Sequence, residues 1–487
     1  MDPRIQNMDA LVSTGNIEGR KAMVEILEAG LQASDPYNNT LRLIRLEDGN
    51  LIVGNREFEP TGSPRTGDEV FDLSQVGKIY VFGAGKGIQR VAKAIEDVLG
   101  DRLTGGHVID KKGHPVILDR IEVTLGGHPA PDEDCARGCA RIIEMARGLT
   151  EKDLVFTCVA NGVSSLLTMP LPGLTMDDLS RTTYVTQIER GMTTGDLCPI
   201  RNHLDAMKGG KISRYLHPAK VIHILAIDPG DYHQLMYENR WLHTLPDCTT
   251  FQMAVDNLKR SDAWDAVPEA VRRHLLEANP EYDTVRAEEF QQMWSRIFGV
   301  MPGTRQTGKV YPAMKKAAEL GFKPYFLAEQ MMGIEASQAG IYAATIARTI
   351  EQTGQPFEPP CALFSSGEMI VTVGKETGIG GRNQEFALSA ARRICGSQNI
   401  VIGSVDTDGT DGPGTQFSDG STAIPCLAGG IVDGTTVQQA RKLGIDIEAE
   451  LKRHNTTLPL WKLNSGVLAS PNISLIDLTV VLVMGRS

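Results

Sequence analysis

Apolar residues recur along the chain at spacings that alternate between strand-like and helix-like periods. Residues 16–33 carry an apolar stripe at helical spacing and predict a helix that ends before Asp35-Pro36. Two short apolar runs flank Asp48-Gly49, and this pair predicts a hairpin turn. From residue 78 to about residue 160, strand patterns, glycine-rich turns and amphipathic helices follow one another. This alternation predicts an α/β fold with a parallel sheet covered by helices.

A second region with the same alternation follows a proline-rich segment. A long helix of small residues ends at Gly354, and residues 355–360 read Gln-Pro-Phe-Glu-Pro-Pro, which is the composition of a linker or a crossover. Strand and helix patterns then continue to a buried-strand pattern at residues 475–484. We therefore predict two α/β domains, a larger one over residues 1–354 and a smaller one over residues 355–487.

Charge and cysteine content exclude several classes of protein. The 487 residues include 49 Lys and Arg against 60 Asp and Glu, so the net charge of −11 argues against nucleic acid or an anionic membrane as the main partner. Eight cysteines without a C-x-x-C pair are too sparse for a disulfide framework and predict reduced thiols. No signal-peptide pattern and no apolar run of membrane-spanning length is present. We expect a cytoplasmic protein.

The turn at residues 83–87, Gly-Ala-Gly-Lys-Gly, joins a strand to a helix and is the first candidate site. Free N–H groups and the helix dipole favour an anion at such a turn, and Lys86 adds a positive charge. The spacing fits neither a P-loop nor the G-x-G-x-x-G dinucleotide fingerprint, although Asp110 after the next strand could act as a ribose-binding acid. The alternative interpretation is a turn that merely requires glycine.

Two further segments combine charge with a predicted element end. Residues 380–385 open a predicted helix in which Asn383 is a candidate N-cap and Arg382 stands beside the positive end, an arrangement suited to phosphate or carboxylate. Three carboxylates follow the predicted strand at 400–405, at its ligand-binding end: Asp406, Asp408 and Asp411. Their spacing fails the EF-hand pattern, and Mg²⁺ with phosphate oxygens fits better. The alternative is a solvated Asp-Gly turn.

Other polar turns allow two interpretations each. Asn202 and Lys208 lie in NHLDAMKGG, which could be a ligand loop or a helix C-terminus. His128 in GGHPAPD and Glu368 in SSGE could likewise contact substrate or belong to simple turns.

In this order, the motifs resemble those of the glycerate 2-kinase family, in which a glycerate-kinase domain precedes a smaller MOFRL domain. The resemblance covers nearly the whole chain, and seven segments carry it: ASDPYN at 33–38, VFGAGKG at 81–87, GGHPAPD at 126–132, IRNHLDAMKGG at 200–210, SSGEMIVTV at 365–373, GGRNQEFALSAA at 380–391 and DTDGTDGP at 406–413. The combination of the last two segments is highly specific.

The resemblance implies two α/β domains around an interdomain cleft, a larger Rossmann-like three-layer domain and a smaller MOFRL-type domain. It implies transfer of the γ-phosphoryl group of ATP to the 2-hydroxyl of D-glycerate, with Mg²⁺ or Mn²⁺. Lys86 and Arg382 match the family's catalytic basic pair, and the three aspartates match metal-binding or cleft positions. The expected cleft residues are Gly85, Asn161, Ser164, Asn202, Lys208, His243, Glu368 and Asn383. The expected partner is a small hydroxy acid, and a homodimer is left open.

Three loops depart from the family pattern. A glycine-rich serine loop is reduced to Ala-Asn-Gly-Val-Ser-Ser at 160–165, an aromatic and histidine-rich insertion occupies 232–243, and a Thr- and Gly-rich loop is replaced at 469–474. Such loops cradle phosphates. Two other activities therefore stay open: lyase, isomerase or hydrolase chemistry on a hydroxy acid, with Lys86 as base or clamp and His243 or His233 in proton transfer, and NAD(P)-linked reduction of hydroxypyruvate-like acids.

Overall fold

A computed structural model describes residues 3–301, 310–329, 331–376, 378–412, 417–418, 423–470, 472 and 477–485. The chain forms two compact units, Pro36–Pro302 and a discontinuous unit of Met1–Asp35 with Gly303–Ser487. Each unit contains a six-stranded sheet with helices, and the α/β class that the sequence predicts is confirmed. All eight cysteines are free thiols. No helix among the described residues is long and apolar enough to cross a membrane.

The discontinuous unit begins with two helices, α1 (Met8–Leu11) and α2 (Ile17–Ala33). The predicted helix at 16–33 is confirmed, and the Asn16 side chain caps it by accepting a hydrogen bond from Gly19 N.

The unit at 36–302 has a parallel sheet at its centre. The predicted hairpin is confirmed and belongs to a small antiparallel sheet of β1 (Ile44–Glu47), β2 (Asn50–Val53) and β3 (Glu69–Asp72). The six parallel strands are β4 (Ile79–Ala84), β5 (Gly105–Lys111), β6 (Glu122–Gly126), β7 (Leu154–Val159), β8 (Lys220–Leu225) and β9 (Ser295–Gly299). Their order is β6-β5-β4-β7-β8-β9, so the carboxyl ends of β4 and β7 are neighbours.

Helices cover the apolar faces of this sheet, and some helices of the unit pack on one another in a separate apolar cluster. They are α3 (Pro36–Leu43), α4 (Gln89–Leu99), α5 (Glu133–Ala146), α6 (Val163–Leu166), α7 (Met176–Thr183), α8 (Thr194–His203), α9 (Ile212–Leu216), α10 (Tyr232–Tyr237), α11 (Phe251–Arg260), α12 (Glu269–Glu277) and α13 (Ala287–Phe290). Phe82 and Val155 are among the fully buried core residues. Both lie on strands whose residues are nearly all buried, as expected for a sheet covered on both faces.

The C-terminal part of the other unit contributes the remaining elements. Its helices are α14 (Val310–Glu319), α15 (Ala336–Thr353), α16 (Arg382–Ile394), α17 (Thr436–Lys442), α18 (Ile447–Lys452) and α19 (Thr457–Lys462). Its strands are β10 (Lys323–Ala328), β11 (Cys361–Gly367), β12 (Ile400–Asp406), β13 (Phe417–Ser418), β14 (Ala423–Ile424), β15 (Gly429–Asp433), β16 (Gly466–Val467) and β17 (Asp477–Val483). The main sheet has the order β10-β11-β17-β12-β15-β16.

The structure divides the chain elsewhere than at the predicted boundary between 354 and 355. Strand β10 pairs with β11 in parallel, from Lys323 opposite Cys361 to Ala328 opposite Ser365. Parallel neighbours need a crossover, and α15 supplies it. The proline-rich residues 355–360 therefore end a crossover within one unit, which was the second interpretation of their composition.

Helix α2 packs on the C-terminal sheet although it lies at the other end of the chain. A Cβ at Gly403 on β12 would lie 2.8 Å from Met23 Sδ, so the glycine permits a close approach. The buried Arg20 donates from Nε to Asp433 Oδ2 at 2.5 Å. These contacts make residues 3–35 an integral part of this unit.

Candidate active site

The turn after β4 is held at the carboxyl edge of the parallel sheet by the loop after β7. Gly85 has φ +148°, and a Cβ there would lie 2.6 Å from Ala160 Cβ. Lys86 N donates to Asn161 O at 2.7 Å, while the half-buried Lys86 side chain lies beside Gly162. Glycine is therefore required at position 85 so that the two loops can meet.

Asp110 stabilises this turn through hydrogen bonds instead of facing a ligand. It is buried, and its carboxylate accepts hydrogen bonds from Gly87 N at 2.9 Å and from Gln89 Nε2 at 3.0 Å. His114 Nδ1 lies 3.0 Å from Asp110 Oδ1. These partners occupy both oxygens, so the structure gives Asp110 a different place from the ribose-binding acid that its spacing suggested.

Ser164 and His243 form a hydrogen-bonded pair close to the same edge. Ser164 Oγ lies 2.8 Å from His243 Nε2, and the imidazole is fully buried. Burial, together with the positive charges of Lys208 and Arg201, holds the pKa of His243 well below its usual value. His243 is therefore a neutral imidazole at physiological pH. The other histidine of the insertion, His233, is exposed.

A polar frame fixes the loop that carries His243. Asn202 Nδ2 donates to Arg240 O at 2.7 Å and to Asp247 Oδ2 at 2.6 Å. Gly210 N donates to His243 O at 3.0 Å. Asn202 is completely buried, so it positions the insertion and does not reach the surface.

Lys208, predicted as a cleft residue, is buried in an ion pair. Its Nζ donates to Asp205 Oδ2 at 2.5 Å and to Thr168 Oγ1 at 2.6 Å. A buried ammonium group requires such partners, because an isolated charge in the protein interior is very unfavourable. The positive charge of Lys208 is therefore balanced by Asp205 within the protein.

In the other unit, Arg382 begins α16 and contacts three carboxylates. Its Nε donates to Asp477 Oδ1 and Oδ2 at 2.9 and 3.0 Å, and its Nη2 donates to Asp406 Oδ2 at 2.6 Å. The exposed Glu368 lies 4.0 Å from Nη1. The hydrogen bond and charge of Asp477 raise the pKa of Arg382 against the opposing effect of burial, so the guanidinium stays charged and is held in one orientation.

Asp411 caps the start of α16, which differs from its predicted role as a metal ligand. Its carboxylate accepts hydrogen bonds from Asn383 N at 3.1 Å and from Gln384 N at 2.8 Å. Burial raises the pKa of Asp411 to about 7. Asp411 also packs against Gly381, where a side chain would overlap it. The glycines at 380 and 381 therefore allow the loop that carries Asp411 to approach closely. The start of α16, which we expected to bind an anion, binds the Asp411 carboxylate instead.

Asn383 is not the N-cap that the sequence predicts. The helix begins at Arg382 with Gly381 at the cap, and the fully buried Asn383 lies inside the first turn. Its Nδ2 donates to Asp477 Oδ1 at 2.7 Å, and its Oδ1 accepts from Ser404 Oγ at 2.5 Å. Asn383 therefore supports Asp477 and has no solvent-accessible surface in this structure.

Asp406 and Asp408 stand together at the carboxyl end of β12. Asp408 N donates to Asp406 Oδ1 at 3.1 Å, and Asp408 Oδ1 accepts from Thr410 N at 2.7 Å. Burial and the adjacent Asp406 raise the pKa of Asp408 to about 6. Among the described residues, no group of three or more His, Cys, Asp or Glu is arranged to hold a metal. Two carboxylates are the number that Mg²⁺ takes when phosphates supply its other ligands.

Comparisons with known proteins cover most of the chain. Residues 22–276 match the family described as Domain of unknown function (DUF4147), and residues 361–472 match the MOFRL family. The chain is 31% identical to Glycerate 2-kinase of Pyrococcus horikoshii over 466 residues, which are 95% of this chain and 97% of that protein. The chain belongs to the glycerate 2-kinase family. It is thus an enzyme of the glycerate kinase type.

Other members of the glycerate 2-kinase family agree in sequence and in fold. D-glycerate 2-kinase of Thermotoga maritima is 30% identical over 86% of this chain and 94% of its own length. The crystal structure of a protein from Pyrococcus horikoshii matches with a TM-score of 0.75 and 30% identity over 96% of this chain and 99% of that chain. The crystal structure of glycerate kinase from Thermotoga maritima matches with a TM-score of 0.74 and 27% identity, over 95% and 99% of the two chains.

Sequence reasoning within the family missed the carboxylate that holds Arg382. Asp477 lies beyond the MOFRL match and begins a strand that otherwise reads as apolar core. Its position opposite Asp406 in the antiparallel register brings it to the site. A charged residue at the first position of a fully buried strand was the available signal. Of the altered loop at 469–474, only Ala469, Ser470 and Asn472 are among the described residues.

Proposed function

We propose that this enzyme transfers the γ-phosphoryl group of ATP to the hydroxyl of D-glycerate or a related hydroxy acid, with Mg²⁺ or Mn²⁺ as the metal. The observation that carries this proposal is the match to Glycerate 2-kinase over 95% of this chain and 97% of the relative. A match of that extent spans both units, and it includes the turn with Lys86 and the helix start with Arg382. Phosphoryl transfer depends on positioning and charge neutralisation, which basic side chains on rigid turns provide.

Lys86 is the proposed catalytic cation of the unit at 36–302. It follows a strand that is buried except at Tyr80, and its main-chain N–H donates to Asn161 O at 2.7 Å, so the half-buried side chain extends from a rigid support. A point charge at the carboxyl edge of a parallel sheet can offset the negative charge of a transferring phosphoryl group. Removal of this charge should lower kcat.

Arg382 is the proposed catalytic cation of the other unit. Asp477 holds its Nε edge, while about a fifth of the side chain remains accessible to solvent. Because Asp406 accepts a hydrogen bond from Nη2, Nη1 is the group that would bind a phosphate or carboxylate oxygen.

Asp406 and Asp408 fit a divalent cation, because two close carboxylates at one strand end repel each other and a cation would relieve that repulsion. We propose that these two residues hold Mg²⁺, whereas Asp411 caps the start of α16. When bound, the metal supplies neutralisation of phosphate charge.

One observation favours a second candidate, hydrolysis of a hydroxy-acid ester. The neutral His243 lies 2.8 Å from Ser164 Oγ, which is the geometry of a serine activated by a histidine base. The orienting acid of such a site is missing, because His243 Nδ1 is buried without a hydrogen-bond partner among the described residues. Kinase activity is therefore the better supported of the two.

The test is a turnover assay with ATP, Mg²⁺ and D-glycerate, beside thermal-shift titrations with each ligand alone. We expect ADP formation that depends on the acid, and a rise in Tm with ATP and Mg²⁺. Lys86→Met should lower kcat by roughly 100-fold or more while Tm stays near that of the parent. Arg382→Met should lower kcat to a similar extent and should also lower Tm, because it leaves the buried Asp477 carboxylate without its partner. The matched control is Lys259→Met, an exposed lysine on α11, which should behave as wild type.

The two candidates separate clearly in these experiments. Stabilisation by the acid without stabilisation by ATP, combined with ester hydrolysis that Ser164→Ala abolishes, would replace the kinase with the hydrolase. Unchanged kcat in Lys86→Met would refute the role of the turn after β4.

A further inference from the structure

A small cavity lies beside the Ser164–His243 pair within the unit at 36–302. Its volume is about 20 Å³, and twelve residues line it, among them Ser164, four threonines, Arg201 and Lys208. Two of the twelve carry positive charge and none carries negative charge. The described residues of this unit thus enclose a cavity with an electrostatic preference for an anion.

Arg201 is the residue whose charge is not balanced there. It lies on α8, and Nη2 donates to the neutral Gln187 Oε1 at 2.6 Å. Within the described part of the chain, no carboxylate forms an ion pair with Arg201, and its other N–H groups have no hydrogen-bond partner. Burial lowers the pKa of Arg201 from its usual value, and the Cys198 thiol, not a carboxylate, opposes the effect. Lys208, by contrast, is paired with Asp205.

Arg201 is half-buried, and a partly desolvated guanidinium without a carboxylate partner favours binding of an anion that supplies the missing charge. Guanidinium groups bind carboxylates through two parallel N–H···O hydrogen bonds. A cavity of about 20 Å³ has room for one or two water-sized groups, which suits a carboxylate and is far too small for a nucleoside.

We propose that this cavity binds the carboxylate of the hydroxy-acid substrate and that Arg201 is the residue that pairs with it. The proposal rests on the proposed function, because it assigns a place to the acceptor of that reaction. Ser164 Oγ lines the same cavity, and the neutral His243 behind it can accept or donate one hydrogen bond. An arginine and a hydroxyl at one cavity match a carboxylate with a neighbouring hydroxyl, which is a 2-hydroxy acid.

His128 shows that this cavity and the catalytic turn belong to one positive region. Burial and the charges of Lys86, Lys111 and Arg201 lower the pKa of His128 to about 4. Its ring also lies beside Gly162, as the Lys86 side chain does. A substrate whose carboxylate binds at Arg201 would therefore stay within the electrostatic reach of Lys86.

The test compares D-glycerate with its neutral amide, D-glyceramide, by calorimetric binding to the full-length protein without ATP. Wild type should bind the acid far more tightly than the amide. Arg201→Met should weaken D-glycerate binding by roughly 30-fold or more and leave amide binding unchanged. Arg201→Lys should recover only part of the loss, because an ammonium group cannot form the paired hydrogen bonds.

The matched control is Arg190→Met, which replaces an exposed arginine of the same unit outside the cavity. It should bind D-glycerate within about twofold of wild type. In turnover assays, Arg201→Met should raise the KM for D-glycerate and leave the KM for ATP unchanged. Circular dichroism and Tm without ligand establish that each variant is folded, and Arg201→Lys carries the comparison if Arg201→Met does not fold.

Equal binding of acid and amide by wild type would overturn the proposal, as would D-glycerate binding that is the same in wild type and in the folded Arg201 variants. Absence of D-glycerate binding by wild type at millimolar concentration would also overturn it. Failure of the proposed function is a separate result: acid binding that depends on Arg201, without any phosphoryl transfer from ATP, would retain this subsite and remove the kinase.

Discussion

Replacement of Asp477 by Asn should disturb both the stability of its unit and the orientation of Arg382. Asp477 is completely buried and accepts hydrogen bonds from Arg382 Nε, from Asn383 Nδ2 at 2.7 Å and from Met369 N at 3.3 Å. Asn has nearly the same shape, but only one of its two terminal atoms accepts hydrogen bonds. The other terminal atom would place N–H groups against the donors of Arg382 or Asn383.

The size of the effect depends on the ion pair that Arg382 retains in the variant. Removal of one partner of a buried ion pair costs about 3–5 kcal/mol. Arg382 retains Asp406 at 2.6 Å and is partly accessible to solvent, so we take the lower end, about 3 kcal/mol. For a unit of this size, that change lowers Tm by about 6–12 °C. Since the guanidinium loses its fixed edge, kcat should fall by roughly 100-fold.

Scanning calorimetry and steady-state kinetics measure the two effects on one preparation. Thr479→Val, on the same strand, is the control: it removes the contact with Ser404 Oγ at 3.1 Å without a change of charge. It should cost about 1 kcal/mol and leave kcat near that of wild type. A variant Asp477→Asn that melts within about 1 °C of wild type and keeps its kcat would refute the reasoning.

Three further predictions concern pH and the turn after β4. Because the pKa of Asp408 is raised to about 6 and a metal ligand must be deprotonated, Mg²⁺ should activate the enzyme more weakly at pH 5.5 than at pH 7.5. Metal titrations at both pH values test this. In Asp408→Asn, activation by Mg²⁺ should be the same at both pH values and about as weak as that of wild type at pH 5.5. Burial lowers the pKa of His223 to about 3, below its value in the unfolded chain, so the unfolded state binds the additional proton and stability falls as pH drops below about 6.5. Between that pH and pH 5 this group should cost about 2 kcal/mol, and urea unfolding of His223→Gln should show a shallower acid slope than wild type. Gly85→Ala places a Cβ 2.6 Å from Ala160 Cβ and should lower both Tm and kcat; wild-type values of both would contradict the account of the turn.

The parts of the fold that depend on local pattern could be predicted from sequence. The hairpin at Asp48-Gly49 and the strand, turn and helix around Lys86 are as expected, because turn chemistry and apolar periodicity are encoded within a few residues. The boundary near residue 355 differs, because composition cannot distinguish a linker from the end of a crossover that pairs β10 with β11.

Side-chain roles at the site depended on contacts that no local pattern reports. Asp411 and Asn383 share the polar composition of ligand residues, yet they satisfy each other at the start of α16. Asp477 reaches Arg382 only through the register of an antiparallel strand 95 residues further along the chain. The proposed role of Arg201 could not be predicted from sequence, because it depends on the absence, among the described residues, of a carboxylate that pairs with it.

The discontinuous unit places a constraint on the order in which the chain can fold during synthesis. Helix α2 leaves the ribosome first, but the strand that receives Met23 and the Asp433 that pairs with Arg20 are made only after the whole of the other unit. The unit at 36–302 can form its own contacts before the sheet on which α2 packs has been synthesised. A fragment that starts near residue 303 would lack this helix, expose the apolar face of β12 and leave Asp433 without its arginine. Circular permutation that joins residue 485 to residue 3, with new termini between the units, would instead let both halves of the enzyme be made as continuous folding units.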